Sequence, residues 1–347
     1  MISIKDVSLR HYEDFPHQLL LDVTTENGAT GTGECWWGMP NGDRPGSGAR
    51  PIVQVVEALI TPRVLGRDAR QIGRLWHELA DHFYRYGDGG MLPMGIAGLD
   101  LALWDLRGKS LGVPVVELLG GAVHDAIPAY ASLPPLGTTE RVLHEIARAQ
   151  AHGFRAAKLH EHALDIITEV ASGAPDGFTL MLDVNGHYDL VEAIDVAQVL
   201  GELGYYWFEE PVRPMRDHRS IRKVADASPV RLAGGENEFS LIDFERFLTS
   251  SGVTYLQPEI TKIGGLTPAT RVSALAELHN VVLCPHNFRL GPSLLASIHW
   301  GFSSPITQWL EIPWLPEGND FPSGVTVPAL EDGAVRAPTG LGLALGH

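Results

Sequence analysis

Residues Tyr205–Val212 have the sequence Tyr-Tyr-Trp-Phe-Glu-Glu-Pro-Val, and the pattern of this stretch recurs along the chain. Four consecutive aromatic residues are typical of a buried strand, and Pro211 ends the strand pairing because proline has no backbone N–H. Glu209 and Glu210 therefore lie where the strand ends. Carboxylates are rarely buried without a partner, so these two acids indicate a nearby cation unless they simply face solvent.

The same pattern of a short apolar run, a loop and an amphipathic segment repeats from Ile127 onward. Eight strands alternating with helices predict an α/β fold with a parallel barrel. The predicted strands are residues 127–131, 155–159, 179–184, 205–209, 230–234, 254–257, 281–284 and 307–311. The Gly- and Pro-rich sequence from Pro313 to His347 is interpreted as a closing segment outside this barrel.

The first third of the chain has a different pattern. Residues 2–11, 18–25 and about 30–35 are predicted strands, and Glu26-Asn27-Gly28 predicts the hairpin between the second and the third. Helical spacing follows at Ile96, Leu99, Leu103 and Leu106. In the barrel region, the pair Thr267-Pro268 predicts the N-cap and first residue of a helix.

Residues 36–50 form a long loop with six glycines and prolines among polar residues. Long loops in compact domains are usually functional or disordered. The Trp36-Trp37 pair favours a function, because exposed tryptophans without a role are uncommon. We therefore predict that this loop is a lid over a site.

Composition limits the classes of function. The net charge of −16 disfavours nucleic acid or anionic membranes as partners. Apolar runs are too short for a membrane span, and the first ten residues do not resemble a secretory signal. Cys35 and Cys284, the two cysteines, fit a reducing cytoplasm and are too few for a thiolate metal site.

Polar side chains follow the predicted barrel strands at regular intervals. From Asp183 onward, the steps between them are 26, 27, 23, 27 and 25 residues, about one strand and one helix each. All of them should therefore meet at the C-terminal rim of the barrel, where active sites lie in such folds. The residues concerned are Lys158, His160, Asp183 with Asn185, Glu209, Glu236, Glu259, His286 and Glu311.

Asp183, Glu209 and Glu236 are three carboxylates from consecutive strands, and hard oxygen ligands suit Mg²⁺ better than Zn²⁺. Lys158 and His160 precede them in barrel order and share one strand face. Glu259 and His286 come after them. Groups on two sides of a metal are suited to removing a proton from one face of a bound carbon and delivering one to either face.

These residues resemble the enolase superfamily, and within it the mandelate racemase subgroup, over nearly the whole chain. No single motif is specific, but their order and spacing are. The motifs here are Ile96–Gly108, Lys158-Leu-His160, Asp183-Val-Asn185, Trp207-Phe-Glu-Glu-Pro211, Gly235-Glu-Asn237, Gln257-Pro-Glu259, Lys262-Ile-Gly-Gly265, Pro285-His286 and Trp309-Leu-Glu311.

The resemblance implies a modified (β/α)7β barrel with an α+β capping domain. Residues 1–121 would form the cap, residues 122–314 the barrel, and residues 315–347 a segment that returns to the cap. It also implies Mg²⁺ on the three acids, a small-molecule carboxylate substrate bound to that ion, and abstraction of the proton α to the carboxylate. This superfamily's lysine or histidine base and Mg²⁺-stabilised intermediate are a known case in enzyme chemistry.

Individual roles follow from the same resemblance. Lys158 matches a strand-two lysine of the family, and Glu311 matches a protonated hydrogen-bond donor to the intermediate. Two positions depart from the pattern: His160 stands where a second lysine is common, and Glu259 replaces the aspartate usually paired with the histidine at 286. Asn185 occupies the place of a catalytic histidine in galactonate and mannonate dehydratases, which makes those specific activities less expected.

We expect an Mg²⁺-dependent dehydratase of a sugar acid, an aldonate or aldarate, that yields a 2-keto-3-deoxy acid. Asn185, His17 and Trp36 are expected to contact its hydroxyl groups or close over them. A racemase, an epimerase or a sugar-lactone cycloisomerase would use the same proton abstraction and remains an alternative. A Zn²⁺ hydrolase built on His160 and His162, or a scaffold without catalysis, fits the three acids less well. A cytoplasmic homo-oligomer is expected.

Overall fold

The computed structural model describes residues 2–11, 18–36, 49–319 and 327–344. The N-terminal region begins with an antiparallel sheet of β1 (Ile4–His11), β2 (Leu19–Thr25) and β3 (Thr30–Cys35), in that order. β2 and β3 are joined by the predicted hairpin, in which Gly28 has a φ of +83°. Glycine is favoured there because a side chain disfavours left-handed backbone.

Helices cover one face of this sheet. The longest of them, α4, lies so close to β3 that a Cβ added at Gly33 would be 2.1 Å from the carbonyl oxygen of Gly98. The four residues that predicted this helix are all buried. The helices are α1 (Arg50–Val55), a π-helical turn (Val56–Ile60), α2 (Thr61–Val64), α3 (Ile72–His82), a 3₁₀ turn (Tyr84–Tyr86), α4 (Met91–Leu111) and α5 (Val115–Leu118).

Residues 126–313, all of which the structure describes, form a parallel barrel of eight strands alternating with seven helices, as predicted. Its strands are β4 (Ala126–Ser132), β5 (Ala156–Leu159), β6 (Thr179–Asp183), β7 (Trp207–Glu209), β8 (Arg231–Gly234), β9 (Tyr255–Leu256), β10 (Val282–Leu283) and β11 (Leu310–Pro313). Its helices are α6 (Thr139–Ala151), α7 (Leu164–Gly173), α8 (Leu190–Leu203), α9 (His218–Ala227), α10 (Leu241–Ser250), α11 (Leu266–Leu278) and α12 (Pro292–Ser303).

Strand order in the barrel sheet is β10-β9-β8-β7-β6-β5-β4-β11, and a parallel bridge between Leu283 and Thr307 joins β10 to the segment before β11. The strands are therefore wrapped around a common interior. Trp207 points into that interior and contacts Tyr130 and Tyr255, whereas Phe208 belongs to the core between strands and helices. This alternation explains why the aromatic stretch is buried on both faces.

The C-terminal residues pack back onto both parts of the molecule. β12 (Ala334–Arg336) pairs antiparallel with the first half of β4. Further on, the backbone N–H of Leu343 donates to Asp105 of α4 at 2.9 Å. The boundaries proposed at residues 121/122 and 314/315 stay a prediction.

Helix α11 begins differently from the prediction. Its N-cap is Gly265, not Thr267, which lies inside the first turn. Asp100 of α4 accepts hydrogen bonds from both the backbone N–H and the hydroxyl of Thr267. The prediction was wrong because a carboxylate from another helix supplies the acceptor that a local cap would provide. No helix within the described ranges is both long and apolar enough to cross a membrane.

Candidate active site

Three buried carboxylates at the C-terminal ends of β6, β7 and the segment after β8 form the centre of the site. Asp183, Glu209 and Glu236 each offer an oxygen, and these oxygens all lie within 4.8 Å of one another. Burial and the neighbouring Asp183 charge raise the pKa of Glu209 well above its usual value. Such mutual repulsion is relieved by a bound cation, so the residues present fit a divalent metal with oxygen ligands.

Lys158 lies beneath these carboxylates and is fully buried. Its Nζ is 2.8 Å from Glu209 Oε1, 2.8 Å from Glu311 Oε1 and 3.4 Å from Asp183 Oδ2. Burial alone would lower the pKa of Lys158, but the surrounding carboxylates outweigh it and raise that pKa well above its usual value. Lys158 is therefore a protonated countercharge to the acids in this arrangement.

Glu311 faces donors with both of its oxygens. Oε1 contacts Lys158, and Oε2 accepts a hydrogen bond of 3.0 Å from the backbone N–H of Asn287. Burial would raise the pKa of Glu311, yet Lys158⁺ and His286 lower it below its usual value. In this arrangement Glu311 is paired with Lys158, and its role as the protonated donor implied by the family resemblance stays a prediction.

His160 lies beside Asp183 at one end of the row of carboxylates. Its Nδ1 is 2.5 Å from the carbonyl oxygen of Leu133, which can only accept, so Nδ1 bears a proton. Nε2 is 3.1 Å from Asp183 Oδ2. Burial would raise the pKa of Asp183, but Lys158 and His160 lower it to about 2.

His286 lies beside Glu236 at the other end. Its Nε2 is 2.7 Å from Glu236 Oε2, and its Nδ1 is 2.9 Å from Glu259 Oε2. Burial would lower the pKa of His286, but Glu236 and then the other acids raise it well above its usual value. The extra methylene of Glu259, relative to aspartate, does not prevent the carboxylate–histidine contact.

Two residues next to the ligands have left-handed backbone, with φ of 43° at both Asn185 and Glu210. Residues other than glycine adopt this conformation rarely, and often at functional sites. Asn185 is exposed and donates to Asp183 from its backbone N–H and its Nδ2, at 2.8 and 3.1 Å. Glu210 does not belong to the three-carboxylate cluster and accepts from Asn237 Nδ2 at 2.7 Å.

Trp36 of the cap lies beside the site. Its ring is contacted by Lys262 Nζ, 4.3 Å from the ring centroid, and by the Arg289 guanidinium at 4.7 Å. Phe288 meets the same ring edge-on at 5.0 Å. The first residue of the predicted lid thus contacts a lysine that in turn contacts Glu236, whereas residues 37–48 of that loop and His17 lie outside the described residues, so the lid stays a prediction.

Sequence reasoning assigned no role to two neighbours of the three carboxylates. Lys262 contacts Glu236 Oε1 at 3.4 Å. Gln257 is fully buried and donates to Glu209 Oε2 at 2.6 Å. The Gln-Pro-Glu tripeptide at a strand end was the available signal, because a buried amide requires a partner.

His162, considered for a zinc site with His160, stacks on His187 with ring centroids 4.0 Å apart. Within the described residues, the metal-capable cluster is that of Asp183, Glu209 and Glu236, and it includes neither histidine. The geometry therefore gives the zinc hydrolase no support.

Comparison with known proteins agrees with this geometry. Residues 15–120 match the family described as mandelate racemase / muconate lactonizing enzyme, N-terminal domain, and residues 141–346 match the enolase C-terminal domain-like family. A D-galactarolactone cycloisomerase of Agrobacterium fabrum is 29% identical over 94% of this chain and 88% of its own. A D-galactonate dehydratase of Ralstonia pickettii is 32% identical over 87% of this chain and 79% of its own.

A solved structure shows the same fold. A racemase from Streptomyces coelicolor with bound magnesium superimposes with a TM-score of 0.84 at 27% identity, covering 99% of this chain and 97% of its own. Both family models and the dehydratase relative point to the same family as the residue pattern. The chain therefore belongs to the enolase superfamily, in the mandelate racemase and muconate lactonizing enzyme family.

Proposed function

We propose that this protein is an Mg²⁺-dependent enzyme that dehydrates a sugar acid, an aldonate or aldarate, to a 2-keto-3-deoxy acid. One observation carries the proposal: a row of three buried carboxylates has His160 at one end and the His286–Glu259 pair at the other. This arrangement can serve two faces of one substrate carbon. The sugar-acid relatives supply the substrate class.

Asp183, Glu209 and Glu236 would hold the metal. Mg²⁺ prefers oxygen ligands, keeps positions for other oxygens, and is named in the solved racemase of the same fold. When bound, it would stabilise the negative charge that develops on the substrate carboxylate as the α-proton leaves.

His160 is proposed as the base. Donation of Nδ1–H to the Leu133 carbonyl leaves Nε2, which lies 3.1 Å from Asp183 Oδ2, as the nitrogen that would accept the proton from C2 once the metal holds Asp183. The electron pair of the C2–H bond first delocalises into the substrate carboxylate, and it then forms the C2–C3 double bond as the C3–O bond breaks. Lys158 stays protonated beneath the site, so we assign it charge compensation and not proton abstraction.

His286 is proposed as the acid. The Glu259 carboxylate at Nδ1 favours the protonated ring, which suits a group that must give a proton to the departing hydroxide. Water leaves, and the enol that remains becomes the keto acid. Glu259 accepts from Nδ1 and so fixes the ring with Nε2 toward the carboxylates.

A sugar-lactone cycloisomerase is the second candidate. The Agrobacterium fabrum relative, which matches over 94% of this chain, has that name. By the family resemblance, Asn185 stands where galactonate dehydratases carry a catalytic histidine. The bond changes at C2 and C3 would be the same, but the leaving oxygen would be the ring oxygen and would stay in the product.

The experiment is a screen of sugar acids and their lactones with Mg²⁺, detecting keto acids with semicarbazide and weighing the products by mass spectrometry. A dehydration product is lighter than its substrate by one water, whereas a cycloisomerisation product has the same mass. The absence of any keto acid across the library would refute both candidates and favour an epimerase.

Single variants then separate the two faces. His160→Asn should abolish exchange of the α-proton with deuterated solvent, whereas His286→Asn should stop elimination and leave exchange measurable. The matched control is His279→Asn, because His279 pairs with Glu245 on the surface. Exchange lost in His286→Asn and kept in His160→Asn would reverse the assignment, and normal turnover in both variants would refute it.

A further inference from the structure

A buried chain of charged side chains runs from the cap sheet to the catalytic histidine. Glu34 of β3 is 2.8 Å from Arg289 Nε through its Oε1. The same arginine donates from Nη2 to Thr261 Oγ1 at 2.6 Å and contacts Glu259 Oε1 at 3.5 Å. Glu259 in turn holds His286 Nδ1.

Water has almost no access to this chain. The side chains of Glu34 and Glu259 are fully buried, and that of Arg289 is 2% exposed. Arg289 therefore has its position set by protein partners. Its planar fork places Nε toward one carboxylate and Nη2 toward the other, a geometry that a lysine cannot reproduce.

Glu259 needs fixed partners because its side chain has one more rotatable bond than aspartate. Oε1 accepts from the backbone N–H of Thr261 at 2.9 Å and from its hydroxyl at 2.5 Å, and it also faces Arg289. These contacts leave Oε2 for the imidazole. Arg289 lowers the pKa of Glu259 more than any other neighbour, against the effect of burial, and that pKa is about 2.

The cap holds the loop that carries Arg289 at two more points. Gln18 Nε2 donates to the carbonyl oxygen of Leu290 at 2.7 Å, and Glu34 Oε2 accepts from the backbone N–H of Ser293 at 3.0 Å. Gln18, next to β2, and Glu34 of β3 therefore fix the segment from Leu290 to Ser293, which follows Arg289 in the chain.

We infer that Arg289 is a positioning residue for the Glu259–His286 pair, and that Glu34 of the cap sheet holds Arg289 in place. The inference rests on the proposed role of His286 as the acid. Through Arg289, the cap sheet sets the orientation of the His286 imidazole on the barrel. Positioning groups of this kind change activity about 10–100-fold when removed, and a displacement of about 1 Å is enough.

The test uses the full-length protein and the variants Glu34→Gln, Arg289→Met and Arg289→Lys. Elimination should fall about 10–100-fold in the first two, with α-proton exchange by His160 within about twofold of the parent. KM should stay within about twofold in Glu34→Gln, the variant that keeps the contact of Arg289 with Trp36 available. Arg289→Lys keeps the charge but loses the fork, so we expect an intermediate loss. The matched control is Glu145→Gln, because Glu145 is also a buried carboxylate paired with an arginine, Arg148, at 2.5 Å. It should leave both rates unchanged.

A second measurement needs no substrate. At one fixed pH, proton NMR of histidine-labelled protein detects the hydrogen-bonded Hδ1 of His286, assigned by its loss in His286→Asn. We expect this resonance to move upfield and exchange faster with solvent in Glu34→Gln and Arg289→Met, and to be unchanged in Glu145→Gln.

An unchanged Hδ1 resonance in Glu34→Gln and Arg289→Met would overturn the inference whatever reaction the enzyme catalyses. A parallel fall in exchange and elimination would also overturn it, because the effect would then be on the whole site. If the resonance moves as expected but no sugar acid yields a keto acid, the positioning role stands and the proposed reaction fails. Thermal unfolding identifies a variant that does not fold. In that case the more conservative substitutions, Glu34→Gln and Arg289→Lys, test the inference.

Discussion

Replacing Lys158 with methionine should lower the free energy of unfolding by about 3–5 kcal/mol at pH 7 in a metal chelator. The ammonium is fully buried and lies 2.8 Å from Glu209 and 2.8 Å from Glu311. Without it, one carboxyl must take up a proton. Protonating a carboxyl with the ordinary pKa of 4.5 at pH 7 costs about 3.4 kcal/mol, at about 1.36 kcal/mol per pH unit.

The same reasoning fixes the dependence on pH. The carboxyl that is protonated in the folded variant has a pKa raised above its unfolded value, so stability is lost as pH rises from about 4.5 toward that raised value. The difference in free energy of unfolding between Lys158→Met and the parent should therefore fall to about 1 kcal/mol at pH 5. Excess Mg²⁺ should also restore part of the loss, by about 2.7 kcal/mol at a hundred times its Kd.

Urea unfolding followed by circular dichroism, at pH 5 and pH 7 with chelator or Mg²⁺, measures these differences. Lys109→Met is the control, because Lys109 pairs with Asp105 at 2.7 Å but is 26% exposed. Asp105 also keeps the backbone N–H donors of Thr32 and Leu343. The free energy of unfolding of Lys109→Met should therefore fall by about 1 kcal/mol or less. A Lys158→Met variant within about 1 kcal/mol of the parent at pH 7 in chelator would refute the buried-charge argument.

Three further predictions concern the metal, the cap and the lid. Glu209→Gln removes one ligand charge at constant volume. Calorimetry should therefore detect no Mg²⁺ binding, while the circular dichroism spectrum stays unchanged. Mg²⁺ bound as in the parent would exclude Glu209 as a ligand. Burial raises the pKa of Asp100 to about 7, so this group lowers the free energy of unfolding as pH rises from about 4 to 7. Between pH 5 and pH 7, the free energy of unfolding of Asp100→Asn should therefore rise by about 2–3 kcal/mol relative to that of the parent. The same dependence on pH in both proteins, measured by urea unfolding, would contradict this. Trp36→Ala removes the ring held by Lys262 and Arg289, so KM should rise severalfold with little change in melting temperature, whereas an unchanged KM would show that this ring does not contact substrate.

Periodicity made the barrel and the row of strand-end acids predictable. A residue that follows a buried strand has its direction set by the sheet, so the spacing from Asp183 to Glu311 was enough to bring these side chains to one rim. The contacts of His160 with Asp183 and of His286 with Glu236 agree with their order in the barrel. The catalytic roles of these residues stay predictions.

Contacts between distant loops could not be predicted, because no period governs them. Arg289 and Glu34 are far apart in sequence and meet only once the cap rests on the barrel. The protonation of Glu311 depends on which oxygen the flexible Lys158 chain reaches. The cap of α11 depends on Asp100, 167 residues earlier.

The bond between Leu343 and Asp105 spans 238 residues and has a consequence for synthesis. At about 5–20 residues per second, a ribosome needs roughly 12–48 s to deliver Leu343 after Asp105 has been made. During that interval, α4 of the nascent chain lacks its C-terminal partner, and β4 still lacks β11 and β12. The barrel can therefore close only after β11 has been made, and the nascent chain has unpaired strand edges until then.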